Sequence, residues 1–288
     1  MTPSAYLQRS PLESTTFTFP FPRPAVHTNS VQIHSVLKRF IPAALLRARK
    51  RRQWAQIRQH YAGLSVAEAF DKIYRSKAWG RLDDEAFYSG FGSDQEFAVP
   101  YTEWVTRFII EHDVKNVVDL GCGDFRVGRL LCAANNVRYV GLDVVPDLIS
   151  YNQSRFGREG VEFRGGNIIE DELPDGDLCL IRQVLQHLSN EEIVRVLAKC
   201  GKYRHLLITE EIYVGPRMRP NYDKPHAPDN RLYDRSGVYL DLPPYSLNHK
   251  VVLELNASSE SVLRTSLVEG VASASQTARG LKSNTVGA

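Results

Sequence analysis

The chain has 288 residues, of which 43% are hydrophobic and 24% are charged, and its formal net charge is +3. These values lie near the average of globular proteins and exclude a wholly disordered, collagen-like or disulfide-stapled chain. The length is sufficient for one large domain or two modest ones with a buried core. No apolar run reaches the roughly eighteen residues of a transmembrane helix, so the sequence predicts none.

Positive charge is concentrated at the N-terminus. Residues 1–60 contain ten Lys or Arg and a single acid, Glu13, whereas residues 61–288 contain 26 bases and 32 acids. Pro42 suits the first turn of a helix that we expect to reach about Tyr61. The apolar side chains of this helix form a thin stripe at Leu45, Trp54, Ile57 and Tyr61.

The cationic side of this helix has two interpretations. It can contact an anionic lipid surface or nucleic acid, or it can be a solvated face on a helix that packs against the domain. We favour the solvated face, because charge runs are usually solvated. We therefore expect no nucleic-acid partner, while peripheral contact with a membrane stays open and the oligomeric state is not predicted.

From about residue 64, short apolar runs alternate with helical patterns. Five of these runs are predicted strands, at 116–120, 137–142, 161–163, 178–181 and 206–209. Apolar strands separated by helices indicate a parallel sheet covered on both faces. Two later runs, 251–255 and 263–268, predict an antiparallel hairpin at one edge. The predicted fold is α/β: a doubly wound, mostly parallel, Rossmann-like sheet with an antiparallel C-terminal hairpin and a basic N-terminal helical extension.

Composition also suggests the domain limits. We expect residues 1–60 to be a partly disordered, partly helical extension, residues 61–270 to form the main domain, and residues 271–288 to be a disordered tail. Residues 212–247 contain six prolines and show no clear period. A segment of that length inside a domain is usually functional or disordered. We therefore expect this segment, called the insert below, to roof a substrate pocket.

The four cysteines are Cys122, Cys132, Cys179 and Cys200. None forms a C-x-x-C pair, and no nearby histidine has a spacing that suits zinc. We therefore expect free thiols in a reducing compartment, a cytoplasmic location and no bound metal.

The strongest functional signal is a glycine turn after the first core strand, Val117-Val118-Asp119-Leu120-Gly121-Cys122-Gly123-Asp124. In open α/β sheets, ligands bind at such a carboxyl edge. Gly121 and Gly123 lack side chains, so a ligand can approach the backbone closely. Asp143 ends the next strand, where a carboxylate can accept hydrogen bonds from both hydroxyls of a ribose.

Two classes of nucleotide share this geometry. A dinucleotide needs G-x-G-x-x-G because its pyrophosphate lies on the helix N-terminus, but the third glycine position is Arg126 and the next glycine is Gly128. Asp124 also stands where a phosphate would lie, and its carboxylate repels a pyrophosphate but attracts an ammonium group. The turn therefore favours S-adenosylmethionine, a nucleoside joined to an amino acid.

Residues 116–209 resemble a class I S-adenosylmethionine-dependent methyltransferase. Asp119, Gly121 and Gly123 match the first motif of that family, and Asp143 matches its ribose-binding acid. The resemblance implies the methyltransferase form of the Rossmann-like sheet and S-adenosylmethionine as the cofactor.

Two further segments carry the resemblance. Asn167 follows the third strand, where the family usually has an Asp that contacts the adenine amine, and the Asn carbonyl can still hydrogen-bond there. Arg182-Gln183-Val184-Leu185-Gln186-His187-Leu188 matches the substrate-facing motif, which implies that Arg182 and Gln183 lie along the methionine end of the cofactor. The implied cofactor-binding residues in this core are Asp119, Gly121, Cys122, Gly123, Asp143, Val144, Asn167, Ile168, Arg182 and Gln183.

Segments outside this core resemble a narrower bacterial group of methyltransferases, so that the likeness covers about residues 65–268. Ala78-Trp79-Gly80 and Ser89-Gly90-Phe91-Gly92-Ser93 are similar to its W-G and S-G-x-G-S signatures. Its late N-x-D…R…P-P-F pattern is matched by Asn221, Asp223, Arg231 and Leu242-Pro243-Pro244-Tyr245. The glycines and hydroxyls of the 89–93 loop suit a lid that binds the cofactor carboxylate through backbone amides, which adds Ser89, Gly90 and Ser93 to the predicted cofactor site.

The catalytic candidates are two. His187 can act as a general base toward an acceptor hydroxyl, and an equally weighted alternative is a histidine satisfied by backbone. Glu210, which with Glu211 closes the predicted fifth strand, is the second candidate.

The substrate candidates are Trp79, Arg231, Tyr233 and Tyr245. Arg231 and Tyr233 suit an anionic or sugar-like acceptor, although we favour the alternative that these two residues pin the insert.

The sequence thus predicts an enzyme that moves a methyl group from S-adenosylmethionine to a small-molecule acceptor, sugar-like or natural-product-like, by in-line displacement. Two other functions stay open, an NAD-dependent oxidoreductase and a non-catalytic binding module tethered by its basic helix. An RNA methyltransferase is disfavoured because residues 61–288 are net acidic.

Overall fold

A seven-stranded mixed sheet forms the centre of the fold in the computed structural model, which describes residues 43–268. Its strands run in the order β3-β2-β1-β4-β5-β7-β6. Their bounds are β1 Asn116–Leu120, β2 Arg138–Asp143, β3 Val161–Gly165, β4 Leu178–Arg182, β5 His205–Tyr213, β6 His249–Asn256 and β7 Ser261–Val268. The first five strands pair in parallel, and β7 pairs antiparallel with both β5 and β6. The predicted α/β fold with an antiparallel C-terminal hairpin is therefore confirmed.

Six α-helices accompany the sheet within residues 43–268. They are α1 Ala43–Gln59, α2 Val66–Arg75, α3 Gln95–Glu111, α4 Arg126–Ala134, α5 Pro146–Phe156 and α6 Asn190–Lys199. A capping box at Ser189 and Glu192 is present at the start of α6, and Ser65 with Glu68 forms a second one at the start of α2. Each box satisfies two backbone amides that a helix leaves unpaired at its N-terminus.

The apolar core lies on both faces of the sheet. On one face, Val118 of β1 shares a buried cluster with Leu148 of α5 and Ile193 of α6. On the other face, Val117 of β1 shares a cluster with Val105 of α3. Successive strand residues point to opposite faces, so a continuous apolar strand such as β1 is covered on both sides. Burial of each such side chain stabilises the fold by about 1.5–3 kcal/mol.

Strand β5 is longer than the sequence indicated. We expected it to end at Thr209, whereas it continues to Tyr213 because its antiparallel pairing with β7 extends to Tyr213 opposite Ser261. Glu210 and Glu211 therefore lie within the strand and not at its end. The insert that follows is irregular, with a short 3-10 turn at Leu232–Asp234.

The solvated-face interpretation of the basic helix is wrong for Arg47 and Arg58, and Arg51 is ion-paired but remains exposed. Arg47 pairs with Glu260 at 2.8 Å, Arg51 pairs with Asp234 at 2.8 Å, and Arg58 also reaches Asp234. The ion pairs arise because residues at spacings of four and seven share one helix face. Other cations of α1 remain exposed: Arg49, Lys50 and Arg52.

Three further expectations concern the cysteines, membrane-spanning helices and bound metal. The four cysteines are free thiols, with Cys179 and Cys200 buried and Cys122 and Cys132 half-buried. Within residues 43–268, no helix is long and apolar enough to cross a membrane. The same described part of the chain holds no group of three or more His, Cys, Asp or Glu side chains suited to a metal ion. The described residues exclude 1–42, which contain Pro42, and 269–288, which contain the predicted tail at 271–288.

Candidate active site

The glycine turn between β1 and α4 opens the site. Gly121 has a φ of +80° and Gly123 a φ of +55°, a region that residues with side chains rarely adopt. A Cβ on Gly121 would overlap the side chain of Val184, and a Cβ on Gly123 would overlap Ser89. Both glycines are therefore required by the backbone and by the space around the turn.

A cavity of about 190 Å³ lies at this carboxyl edge of the sheet. One half of it, called the cofactor half, is lined by every residue that the sequence predicted to contact the cofactor. These are Ser89, Gly90, Ser93, Asp119, Gly121, Cys122, Gly123, Asp143, Val144, Asn167, Ile168, Arg182 and Gln183. The structure thus brings the predicted set together around one cavity, while direct contact with a cofactor stays a prediction.

Asp143 is held rigidly at the end of β2. Its Oδ2 accepts a hydrogen bond from the Gly123 amide at 3.1 Å, and its Oδ1 accepts one from the Val145 amide at 3.1 Å. Burial raises the pKa of Asp143 to about 6, and these amides oppose the shift. Each carboxylate oxygen has a second lone pair, so both can still accept a ribose hydroxyl.

Two further carboxylates border the cavity at the turn. Asp119 accepts a hydrogen bond from the Tyr139 hydroxyl at 2.6 Å, and burial raises its pKa to about 6. Asp124 accepts hydrogen bonds from the Ser89 amide at 2.9 Å and the Arg126 amide at 3.2 Å. This concentration of negative charge suits an ammonium group and opposes a pyrophosphate.

Two residues with unpartnered donors line the cavity at the end of β4 and directly after it. The Arg182 Nη2 donates to the Gly92 carbonyl at 2.7 Å, and the guanidinium lies 4.9 Å from the Tyr101 ring centre. Among residues 43–268, Arg182 Nε and Gln183 Nε2 are buried without a hydrogen-bond partner. A buried donor without a partner is costly, so both fit an acceptor that arrives with a ligand, such as a carboxylate.

The other half of the cavity, called the acceptor half, is aromatic. Trp79 lies 5.0 Å from His187 and 5.2 Å from Tyr74 between ring centres, and Phe70 contacts the edge of His187. We group with these rings the nearby uncharged lining residues, and Tyr74 and Val184 of this group also contact Ser89 and Gly121 of the cofactor half: Val66, Phe70, Tyr74, Trp79, Val184, Gln186, His187, Leu188, Pro228 and Asn230. None of these described residues carries a carboxylate, an ammonium or a guanidinium group, so the acceptor half suits an uncharged molecule.

The hydrogen-bond network of Gln186 favours the neutral tautomer of His187 with its hydrogen on Nδ1. The Gln186 Oε1 accepts from the Glu211 amide at 3.2 Å, which orients the Gln186 Nε2 toward His187 Nε2 at 3.4 Å. Because that nitrogen donates, His187 Nε2 is the acceptor and Nδ1 carries the hydrogen. Burial lowers the pKa of His187 to about 3. The ring is therefore neutral and a weak base, which suits positioning of an acceptor better than proton removal.

The geometry does not support a catalytic role for Glu210. Its carboxylate accepts hydrogen bonds from the amides of Val184 at 3.2 Å, Leu185 at 2.9 Å and Gln186 at 3.1 Å. It does not line the cavity described above. Because the end of β5 continues past it, Glu210 is buried behind the 185–187 turn and holds that turn in place.

Of the predicted substrate residues, only Trp79 lines the cavity. The fully buried Arg231 donates to the Leu188 carbonyl at 2.7 Å and the Tyr222 carbonyl at 3.1 Å. The Tyr245 hydroxyl donates to Asn190 at 2.7 Å, and Tyr233 stacks on Trp54 of α1, with 6.2 Å between their ring centres. These three residues pin the insert, so the expectation that they bind substrate is corrected.

Sequence reasoning missed several residues of the acceptor half. Phe70 and Tyr74 are four residues apart on α2 and share one face of it. The capping box at Ser65 signals that helix in the sequence, but nothing there shows which ligand the face borders. Pro228 and Asn230 come from the irregular insert, where no periodic signal exists.

Comparison with known proteins gives a family match for part of the chain. Residues 117–205 match the family model described as a methyltransferase domain. Myricetin 3'/5'-O-methyltransferase 1 of Solanum habrochaites is 25% identical over 140 residues, which are 47% of this chain and 34% of that protein. Myricetin 3'-O-methyltransferase 4 of Solanum lycopersicum is 24% identical over 140 residues, with coverage of 47% and 34%. The chain therefore spans about a third of the length of the curated relatives it matches.

A solved structure gives the same result for the fold. The N-methyltransferase NodS from Bradyrhizobium japonicum WM9, in complex with S-adenosylhomocysteine, aligns with a TM-score of 0.50 and 14% identity. The alignment covers 69% of this chain and 99% of NodS. The family match over residues 117–205, the sheet order and the glycine turn agree with the Rossmann-like methyltransferase fold that the sequence predicted. The likeness to the narrower bacterial group stays a prediction.

Proposed function

We propose that the protein transfers a methyl group from S-adenosylmethionine to an uncharged small-molecule acceptor that lies against Trp79 and His187. The observation that carries this proposal is a single cavity with two unlike halves, one polar with paired carboxylates and free donors, the other neutral and aromatic. The polar half matches a zwitterionic nucleoside, and the neutral half would supply a surface for a second molecule beside it.

The residues of the cofactor half fit S-adenosylmethionine. Asp143 would accept the ribose hydroxyls, Asp119 and Asp124 would attract the ammonium group, and Arg182 Nε with Gln183 Nε2 would donate to the carboxylate. When bound, this cofactor supplies an electrophilic methyl group on a sulfonium. Its leaving group is neutral, so the protein mainly needs to align the acceptor with the methyl group in a site without water.

The acceptor half would orient the second molecule. Trp79 and Phe70 provide flat apolar surfaces, and the neutral His187 and Gln186 provide polar contacts without net charge. The curated relatives are named as O-methyltransferases of myricetin. Together these observations support a planar acceptor with a hydroxyl group over a sugar or an anion, because Arg231 does not reach the cavity.

The other two functions lack a supporting observation. Asp124 lies at the turn where an oxidoreductase would bind pyrophosphate, and three arginines of α1 are already paired within the domain. A cytoplasmic location stays our prediction, and the four free thiols are consistent with it. The domain limits proposed from the sequence also stay predictions.

Two measurements test the proposed function. Calorimetry should detect binding of S-adenosylhomocysteine and no binding of NAD. With methyl-labelled S-adenosylmethionine, neutral planar phenols should accept label, whereas anionic and sugar acceptors of similar size should not. Asp143→Ala should abolish both signals, and Arg49→Ala on the exposed face of α1 should change neither. Binding of NAD alone would overturn the assignment, and transfer only to anionic acceptors would overturn the acceptor class.

A further inference from the structure

Asp229 of the insert lies in a buried cluster of charges beneath helix α1. Its Oδ2 accepts hydrogen bonds from Arg58 Nε at 3.0 Å and Nη2 at 2.6 Å, and its Oδ1 lies 3.7 Å from Lys224 Nζ. The exposed fraction of the side chain is 2% for Asp229, 0% for Lys224 and 12% for Arg58. Removal of one member of such a cluster leaves a buried charge without compensation.

The cluster is joined to both aromatic walls of the acceptor half. Pro228, the residue before Asp229, accepts a hydrogen bond on its carbonyl from Trp79 Nε1 at 2.8 Å. Lys224 Nζ lies 3.4 Å from the carbonyl of His187 and donates to it. Trp79 therefore donates a hydrogen bond to the segment that Asp229 fixes, and His187 accepts one from it.

Two carboxylates of the cofactor half take no hydrogen bond from this cluster. Asp143 and Asp119 accept their hydrogen bonds from the glycine turn, the Val145 amide and Tyr139. These partners belong to β1, β2 and their loops, which take no hydrogen bond from Arg58 or Asp229. A change at Asp229 should therefore reach the acceptor half and leave the cofactor half unchanged.

We propose that Asp229 is a positioning residue that sets the acceptor wall through its pairing with Arg58 and Lys224. With the charge present, the two cations hold the chain at 228–230, and the Pro228 carbonyl fixes the plane of the Trp79 indole. Without it, Arg58 keeps only Asp234 as a partner and Lys224 Nζ loses its buried counter-charge, so the chain at 228–230 is no longer held from both sides. The inference rests on the proposed function, since the wall concerned is that of the acceptor. It also makes α1 part of the active-site framework.

Fluorescence of Trp79 reports on this wall directly. The chain has three tryptophans, Trp54, Trp79 and Trp104, so the full-length Trp54→Phe/Trp104→Phe protein retains only the one at the cavity. In that background, Asp229→Asn should raise the acrylamide quenching constant of Trp79 by about two- to fivefold, as expected for local opening. The affinity for S-adenosylhomocysteine should change by less than about twofold.

Three controls make the result specific. Glu260→Gln removes the partner of Arg47 at the other end of α1 and should alter neither readout. Asp229→Glu keeps the charge and should restore most of the protection of Trp79. Circular dichroism shows whether Asp229→Asn unfolds in a cooperative thermal transition. If it does not, the same two measurements are made on Arg58→Gln, which removes the other half of the pair.

The outcomes separate the two proposals. Unchanged Trp79 quenching in a folded Asp229→Asn or Arg58→Gln variant would overturn the positioning role. So would an equal loss of S-adenosylhomocysteine binding and Trp79 protection, which would indicate a general structural role. Failure of the unsubstituted protein to bind S-adenosylhomocysteine would instead overturn the proposed function, whatever Trp79 reports.

Discussion

Ser89 and Asp124 hold each other by two hydrogen bonds that run in opposite directions. The Ser89 amide donates to Asp124 Oδ2 at 2.9 Å, and the Asp124 amide donates to Ser89 Oγ at 2.8 Å. The Tyr74 hydroxyl also lies 2.8 Å from Ser89 Oγ. The loop at 89–93 is thereby joined to the glycine turn, so that the walls of the cofactor half form before any ligand binds.

Ser89→Ala should weaken binding of S-adenosylhomocysteine by about tenfold. The substitution leaves the Asp124 amide without its acceptor, at a cost of about 1–3 kcal/mol for a buried group. Calorimetry measures the change, and Ser154→Ala on the exposed side of α5 is the matched control. Equal affinity in the Ser89 variant and the parent protein would show that the reciprocal contact does not shape the site.

Gly121→Ala should destabilise the fold by about 1–2 kcal/mol from its positive φ alone, and by more from its overlap with Val184. Gly165→Ala at the end of β3 is the control, because no atom lies within 4 Å of its added Cβ. The double variant with Val184→Ala should recover only the steric part. Thermal unfolding measures the stability of the two glycine variants and of the double variant. Similar midpoints for Gly121→Ala and Gly165→Ala would contradict the requirement for glycine at position 121.

The ring of His187 should stay neutral throughout the physiological range. Burial lowers its pKa from 6.5 to about 3, so its NMR signals should not titrate between pH 5 and pH 8 (a window of about three units around the unperturbed value). A lowered pKa in the folded state means that His187 contributes stability above about pH 6.5, which is lost as the pH falls toward 3. Replacement by Gln should therefore reduce the acid sensitivity of unfolding. A titration midpoint near 6.5 would instead support a general base.

Arg231→Lys tests whether this arginine pins the insert or binds substrate. The guanidinium reaches Leu188, Tyr222 and Asn190 at once, and a lysine ammonium cannot reproduce that planar arrangement. We expect a loss of about 2–4 kcal/mol in the free energy of unfolding, because buried polar partners become unsatisfied. Denaturant unfolding measures the loss. A variant of normal stability that has selectively lost affinity for an acceptor would restore the substrate role.

The cofactor half was predictable from the sequence because its signals are local. The run from Val117 to Asp124 combines a buried strand with two glycines, and Asp143 ends the next strand in the chain. Parallel strands place their carboxyl ends at one edge of the sheet. Once the strands are assigned, the position of these groups follows without knowledge of distant contacts.

Trp79 and His187 of the acceptor half were candidates in the sequence, but the framework that places them was not predictable because its contacts join distant parts of the chain. Arg58 and Asp229 are 171 positions apart, and Glu210 caps a turn 24 to 26 residues before it. Neither pairing leaves a periodic pattern in the sequence. Charge composition alone predicted a solvated helix face, whereas the partners that bury Arg58 come from an irregular segment whose path only the tertiary structure shows.

Cofactor binding should depend on pH through the buried carboxylates of the glycine turn. Burial raises the pKa of Asp143 and of Asp119 to about 6. Both are ionised at pH 7.5, and Asp143 can then accept two ribose hydroxyls. As the pH falls through about 6, each carboxylate gains a proton and loses an acceptor position. The affinity for S-adenosylhomocysteine should fall by about tenfold per pH unit for each coupled proton.

The same raised pKa has the opposite effect on the protein without ligand. A carboxyl group whose pKa is higher in the folded state contributes stability that is present at low pH and is lost as the pH rises through about 6. Acidification from pH 7.5 to pH 5 should therefore shrink the thermal shift caused by S-adenosylhomocysteine. Over the same range, Asp143 should not reduce the stability of the free protein. Asp143→Asn should remove most of the pH dependence. The pH dependence that remains then measures the contribution of Asp119. An affinity that stays constant across this range would mean that neither carboxylate contacts the ligand.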